Sequence, residues 1–358
     1  MSSYASAGVD EQREQSAFAA VMRPWLEKTR IANPGVRVTS GIGSGHFASV
    51  LELGGIGGPS IAVTTDGVGT KILLARQAGR YESVGIDCVA NNVNDLICVG
   101  ADPVALVDYI ALDAVDEAVL GELARGLFMG ADLAGVAIVG GEIAQVASLL
   151  AARAGPDEGP VFDLVGTAVG VMPAGSVVLD GSAVAPGDVV VGLRSSGLHS
   201  NGYSLARRAL FDVAGLPLDQ GLADALLEPT RVYVAAARAL WAANVPLHGM
   251  VHISGGGLLN VLRLAAPVGY RLDSLPEPPA VFELIRSSGD VPLAELYSTF
   301  NMGIGLCVVV PEEAADAALA AVTGAGEQAS VIGRVVEGPD RRVELPALGL
   351  VGRGDAFK

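Results

Sequence analysis

The stretch Thr64-Thr65-Asp66-Gly67-Val68-Gly69-Thr70-Lys71 constrains the fold of this chain more than any other. The apolar, β-branched run Ile61-Ala62-Val63 precedes it, and the apolar segment Ile72–Ala75 follows. The order reads strand, carboxylate, two glycines, hydroxyl, ammonium, helix. Such a strand-to-helix turn belongs to a layered α/β fold, and its glycines let backbone approach a ligand closely. Lys71 stands out because the chain has three lysines (Lys28, Lys71, Lys358) against twenty arginines. A compact ammonium suits a polyphosphate, whereas Arg offers a planar fork. Taken alone, the octapeptide also suits a glycine turn with a solvated lysine.

The alternation recurs in two halves. In the first, 61–64 reads as a strand, 84–99 as a helix, 104–111 as a strand, 116–134 as an amphipathic helix, 136–139 as a strand ending in Gly140-Gly141-Glu142, and 162–172 as a further strand. The Gly/Ser/Pro-rich passage 173–188 resets the pattern. The second half gives strands at 189–193, 251–253, 305–310 and 329–336, with helices at 204–213, 231–244, 258–264 and 312–323. The expected organisation is two α/β domains, 1–172 (with an extended segment over 1–35) and 173–345, then a tail over 346–358.

A length of 358 residues suffices for two cores. The net charge of −16 argues against a general nucleic-acid or anionic-membrane surface while leaving room for a local basic pocket. Cys88, Cys98 and Cys307 form no CxxC pair and read as reduced thiols of a cytoplasmic protein. The polar first thirty residues do not resemble a signal peptide, and the apolar stretch 164–179 is too short and too broken to span a bilayer.

Asp66, Asp95 and Glu142 end or flank expected elements, and hard oxygen ligands beside a glycine loop and a lysine suit a magnesium–nucleotide site. Each alone also suits a helix cap or a solvated acid. Ser40-Gly41-Ile42-Gly43-Ser44-Gly45-His46 has G-x-G-x-G spacing without the context of a dinucleotide fingerprint, and no Walker A sequence occurs. In the second half, Ser195–Tyr203 packs hydroxyls, an amide and His199 into one loop before a helix, and His252-Ile253-Ser254-Gly255-Gly256-Gly257 is built alike. Both offer anion donors at a helix start, and His199 adds a group that titrates near neutrality.

These pieces together resemble the phosphoribosylformylglycinamidine cyclo-ligase (aminoimidazole ribonucleotide synthetase) family. The matching motifs are TTDGVGTK, NNVNDL, GADP, IVGGE, FDLVGTAVGV, GDVVVGLRSSGLHSNGYSL, LLEPTRVYV, HGMVHISGGGLL and TFNMGIG, in order over nearly the whole chain. The resemblance implies a homodimer whose N-terminal sheets pair into a barrel, with ATP bound beside the interface and a C-terminal mixed sheet flanked by helices. It implies ATP-dependent phosphorylation of the formyl oxygen of formylglycinamidine ribonucleotide, then ring closure. On that reading Gly43, Gly45, Thr65, Gly67, Gly69, Thr70, Lys71 and Asp95 hold ATP, and Asp66, Asp95 and Glu142 hold Mg2+. Ser196, His199, Asn201 and Gly255–Gly257 hold the substrate, and Lys71, His199 and Asp66 are catalytic, His199 as a proton shuttle. The chain departs from the family at Ile143 and Gln145, where a hydroxyl and a second acid are usual, and at Ser6, where an Asp is usual. Those departures leave two alternatives: a paralogue acting on another ribonucleotide, or a silent nucleotide-binding protein.

Overall fold

Strand alternation shapes the first sheet most clearly in Phe162–Met172 (β6), where Phe162, Leu164, Gly166, Ala168, Gly170 and Met172 are buried and the residues between them are less so. A computed structural model describes residues 47–53, 59–150, 160–172 and 176–358, with the strand 36–38 and the single residues 20 and 28. Six strands form this sheet among the described residues: Val36–Val38 (β1), Ser49–Leu53 (β2), Ser60–Gly67 (β3), Asp102–Leu112 (β4), Ala137–Gln145 (β5) and β6. Their order is β1-β2-β3-β6-β4-β5, antiparallel except for the β4–β5 pair. The GGE segment lies inside β5 rather than after it, so the strand runs six residues beyond its expected end.

The longer helices of this half among the described residues are Lys71–Ala78 (α1), Glu82–Cys98 (α2) and Glu117–Ala134 (α3). Asp116 caps α3 by accepting from Ala118 N (2.9 Å) and Val119 N (3.2 Å), and Gly135 closes it at φ 62°. Helices α2 and α3 cross at glycines. A Cβ on Gly126 would strike the Glu82 carbonyl, and one on Gly85 would lie 2.5 Å from Leu123 O.

The second sheet has the order β14-β13-β12-β9-β11-β7-β10-β8. Its strands are Val189–Arg194 (β7), Gly249–His252 (β8), Gly269–Arg271 (β9), Ile304–Val310 (β10), Ala329–Val336 (β11), Arg342–Leu345 (β12), Leu350–Arg353 (β13) and Ala356–Phe357 (β14). β10 is buried at every residue. Both sheets are thus mixed and helix-packed, the α/β class that the sequence suggests. Residues 346–358, expected as a tail, form the sheet's edge strands, and Phe357 N is anchored on Ser298 Oγ at 2.9 Å.

Helix α2 joins the halves. Asp87, Asn94, Asp95 and Cys98 recur at helical spacing and turn toward the second half. Asp87 Oδ1 accepts from Thr230 N (2.7 Å), and Asn94 accepts from Tyr233 N (2.9 Å) while donating to Arg231 O (2.8 Å). These bonds occupy the backbone of Thr230, Arg231 and Tyr233. The helix expected from Arg231 accordingly begins only at Val234. Arg238 of the second half returns the contact, donating to Asp102 (2.8 Å), Ala134 O (2.9 Å) and Pro103 O (3.3 Å).

Candidate active site at the domain boundary

Asp66 and Asp95 are brought together where β3 ends beside α2. Asp66 lies on the α2-facing side of β3, in one cross-strand row with Gly166 and Asp108. Asn92 Nδ2 donates to Asp66 O (3.1 Å) and Asn91 Nδ2 to Gly67 O (3.4 Å), so the paired asparagines hold the strand end to the helix. Asp66 is exposed at the rim, yet its carboxyl is pushed up to about 6, chiefly by crowding of protein around it and next by the Asp95 charge. Its Oδ1 accepts from Gly67 N at 2.8 Å, which opposes the rise, as do the nearby His252 and Arg263.

Asp95 Oδ1 accepts from His252 Nδ1 at 2.9 Å, and Cys98 Sγ accepts from His252 N at 3.1 Å. His252, which the sequence left as a residue of the glycine loop, is therefore the second half's direct contact with an expected metal ligand. Arg263 ends the 3-10 helix Gly257–Arg263 and stacks over Phe47, its Cζ 4.2 Å from the ring centroid. Nothing in the spacing of Arg263 singled it out beforehand.

Glu142 is not part of this cluster. It shares a row with Val165 and Tyr109, on the sheet face opposite Asp66, and two strands, β6 and β4, lie between the two acids, about 14 Å of sheet. A bulge is the cause. Leu106 pairs with Ile138 but Val107 with Gly140, so Val139 is an extra residue that reverses the alternation. Among the described residues no group of three His, Cys, Asp or Glu side chains could hold a metal ion. Of the three acids expected as ligands, Asp66 and Asp95 come together and Glu142 lies apart from them.

Lys71 also departs from expectation. Its side chain is fully buried, with Nζ 2.7 Å from Asp87 Oδ2, 2.8 Å from Glu228 O and 3.2 Å from His199 O. All three ammonium protons thus have acceptors within the protein. Burial pushes the ammonium down from its ordinary value, and Asp87 opposes that. The expected phosphate ligand is a pin between the two halves.

His199 is enclosed and holds φ at 61°, a left-handed conformation that is unusual for this residue type. Its carbonyl accepts from Lys71 Nζ and from Tyr203 Oη (3.0 Å), and Nε2 accepts from Ser196 N at 3.3 Å. Burial, with His252, Lys71 and Arg231 nearby, drives its pKa well below the ordinary 6.5. The imidazole is enclosed, with Nδ1 unpartnered among the described residues, while the backbone carbonyl anchors Lys71 and Tyr203. Ser196 Oγ is taken by Pro229 O at 2.6 Å. Asn201 lies half-buried before the helix at 203.

Thr70 Oγ1 meets Ser204 Oγ at 3.2 Å across the boundary, and Gly69 is exposed at φ 71°. Thr65 lies on the other sheet face, bonded to Gly166 O and Thr167 Oγ1 (2.9 and 3.0 Å). There a cavity of about 390 Å³ is lined by Phe47, Ala48, Ser49, Val63, Thr64 and Thr65, with Thr167 closing it. Gly255–Gly257 form a turn fastened by Asn260, which donates to Gly255 O and accepts from Ser254 N, both at 2.9 Å. Gly43 and Gly45 lie outside the described residues. The three cysteines are buried thiols whose pKa values burial pushes up.

Comparison with known proteins agrees along the chain. Residues 45–172 match the family described as "AIR synthase related protein, N-terminal domain", and residues 185–346 its C-terminal domain. A phosphoribosylformylglycinamidine cyclo-ligase of Methanothermobacter thermautotrophicus is 42% identical over 97% of this chain and 98% of its own length. One from Thermococcus gammatolerans is 42% identical over 96% and 98%. Among solved structures, AaThiL complexed with AMPPCP and TMP aligns with TM-score 0.60 at 16% identity, covering 93% of this chain and 95% of that one. The HypE–HypF complex aligns with TM-score 0.60 at 19%, covering 87% and 93%. At those identities the two structures show a shared fold only. The likeness to the cyclo-ligases is of another order, and by it the chain belongs to the phosphoribosylformylglycinamidine cyclo-ligase family of enzymes.

Proposed function

We propose that this chain closes the imidazole ring of purine biosynthesis in the cytoplasm, converting formylglycinamidine ribonucleotide to aminoimidazole ribonucleotide with ATP as phosphoryl donor. The observation that carries the reading is likeness to curated cyclo-ligases over 97% of the chain. An amide oxygen leaves poorly as hydroxide, whereas a phosphorylated one leaves as phosphate. A ring-forming nitrogen then attacks the formyl carbon, and ADP and phosphate are released.

The residues present fit a magnesium ion. Two carboxylates stand close enough for Asp95 to raise Asp66, a like-charge pair that a divalent cation would relieve. Mg2+ commonly takes one or two carboxylates, with waters and phosphate oxygens completing its shell, so the absence of Glu142 from the cluster is no obstacle. Bound there, it would neutralise charge developing on the transferred phosphoryl group. Asp66 and Asp95 would hold it, and His252 would keep the Asp95 carboxylate turned to the site. The glycine turn at 255–257, which follows His252, and the loop through Ser196 and Asn201, which flanks His199, would receive the substrate.

A homodimer is part of the proposal. On the first sheet's open face Val104, Val107 and Tyr109 are exposed, as are Ile138, Val139 and Ile143 on the edge strand β5.

The test is ADP release by the purified chain. Release that depends on formylglycinamidine ribonucleotide, together with rescue of a purine auxotroph lacking this step, is expected. ATP turnover indifferent to that substrate, with no rescue, would instead favour the paralogue reading suggested by Ile143 and Gln145.

A further inference from the structure

If Lys71 is committed to the domain boundary, some other cation must meet the phosphates. We propose that Arg263 is that cation, reaching from the second half across the mouth of the site to the polyphosphate of the nucleotide. This rests on the nucleotide reading above and assigns a residue within it.

The geometry begins with the segment that carries Arg263. It leaves β8 at His252, passes the glycine turn and ends as the 3-10 helix at Arg263. Its first residue bonds Asp95 at 2.9 Å, and its last stacks on Phe47. The two ends therefore straddle the place where Asp66 and Asp95 meet. Phe47 is tied to the same place, since Thr64 Oγ1 donates to its carbonyl at 3.3 Å and Thr64 lies two residues before Asp66. Phe47 also walls the cavity of about 390 Å³, which holds hydroxyls of Ser49, Thr64 and Thr65 among apolar groups. A small cavity of mixed polarity that opens on the Thr65 side of the sheet and shares the Phe47 wall with Arg263 suits the nucleoside end of a nucleotide.

Charge and chemistry point the same way. Arg263 is only half-buried. Stacking on an aromatic ring engages the flat faces of a guanidinium and directs its N–H edges sideways, where a forked donor matches phosphate oxygens. Lys71 cannot substitute without breaking its contacts to Asp87, Glu228 O and His199 O. The arginine-for-lysine exchange also fits a chain with so few lysines.

The test is magnesium-dependent binding of the non-hydrolysable analogue AMPPCP, and of adenosine, to the full chain carrying Arg263→Gln or Arg263→Lys. A phosphate contact predicts that Arg263→Gln weakens AMPPCP about tenfold, with adenosine affinity held within about twofold of the unmutated chain. Arg263→Lys keeps the charge and the aliphatic stem over Phe47 but loses the forked donor, so a loss of about threefold for AMPPCP, larger than for adenosine, is expected; it carries the same comparison if the Gln variant does not fold. Equal loss of both ligands would mean that Arg263 only props the Phe47 wall, and unchanged AMPPCP binding would mean that it touches no phosphate; either overturns the assignment. An unmutated chain that binds no AMPPCP would instead sink the nucleotide reading itself.

Discussion

Asp66 and Lys71 sit five residues apart and show how burial redirects charges that look alike in sequence. The Asp66 carboxyl, at about 6 in the folded chain against an ordinary 3.8, favours its protonated form. Its ionisation therefore opposes folding: whatever stability it contributes is complete at low pH and is lost as pH rises through 6. Asp66→Asn should accordingly raise stability at pH 8 by up to about 1 kcal/mol, a figure held low because solvent screens an exposed group. At pH 4 the gain should vanish, and urea titrations at the two pH values check it. The same substitution should weaken magnesium–nucleotide binding, so stability and function pull apart at this residue. Lys71 poses the opposite case. Lys71→Met strands a buried Asp87 oxygen, takes the donor from the Glu228 carbonyl and leaves the His199 carbonyl with Tyr203 Oη alone. A loss of about 3–5 kcal/mol is expected from breaking such a pair. Adding Asp87→Asn removes the unpaired charge while keeping the acceptor for Thr230 N, and should recover a large part of that loss. If the single variant unfolds at the same denaturant concentration as the unmutated chain, Lys71 is not the pin described above.

At the scale of elements, the alternation of strands and helices was legible, because β6 buries every second residue and α3 carries an apolar period between a capping Asp and a closing glycine. The faces of those elements were less so. Glu142 read as a third ligand because it follows two glycines after a strand, yet one extra residue at Val139 turns it away from Asp66. A bulge has no sequence signature that counting can find. The role of α2 was half visible: polar residues at 87, 94, 95 and 98 recur on one face of an otherwise apolar helix, which forecasts a polar partner without naming it. The contacts of Lys71 and Arg263 were not legible for a common reason, since what a cation meets depends on contacts across the domain boundary that neither half encodes alone. The close approach of α2 and α3 permits a sharp local test. Gly126→Ala places a methyl group against the Glu82 carbonyl and should cost about 1–3 kcal/mol. Gly121→Ala on the same helix meets nothing within 4 Å and should instead gain about 0.5–1 kcal/mol. Thermal unfolding of the pair reads the contact directly, because both changes are Gly to Ala in one helix.

Over the whole molecule, the boundary between the halves is stiffened from both sides: Lys71 reaches into the second half and Arg238 into the first. What the single chain leaves uncovered is the open face of its first sheet. Tyr109 is 42% exposed and Val139 66%, and β5 at the sheet edge presents backbone groups that no described strand pairs. Exposed apolar residues along an unprotected edge favour association, and a second copy meeting the same face would give a closed twofold dimer. On that account Val107→Glu, which sets a charge in the middle of the face while its neighbours Leu106 and Asp108 keep their inward contacts, should yield monomers at micromolar concentration. Light scattering coupled to gel filtration measures this. The unmutated chain should also unfold at a midpoint that rises with its concentration, as any obligate dimer must, and the variant should not. Because the Thr65 side of the 390 Å³ cavity opens on this face, loss of the dimer should weaken AMPPCP binding as well. A monomeric unmutated chain that still turns over would detach the nucleotide site from association and leave the exposed face unexplained.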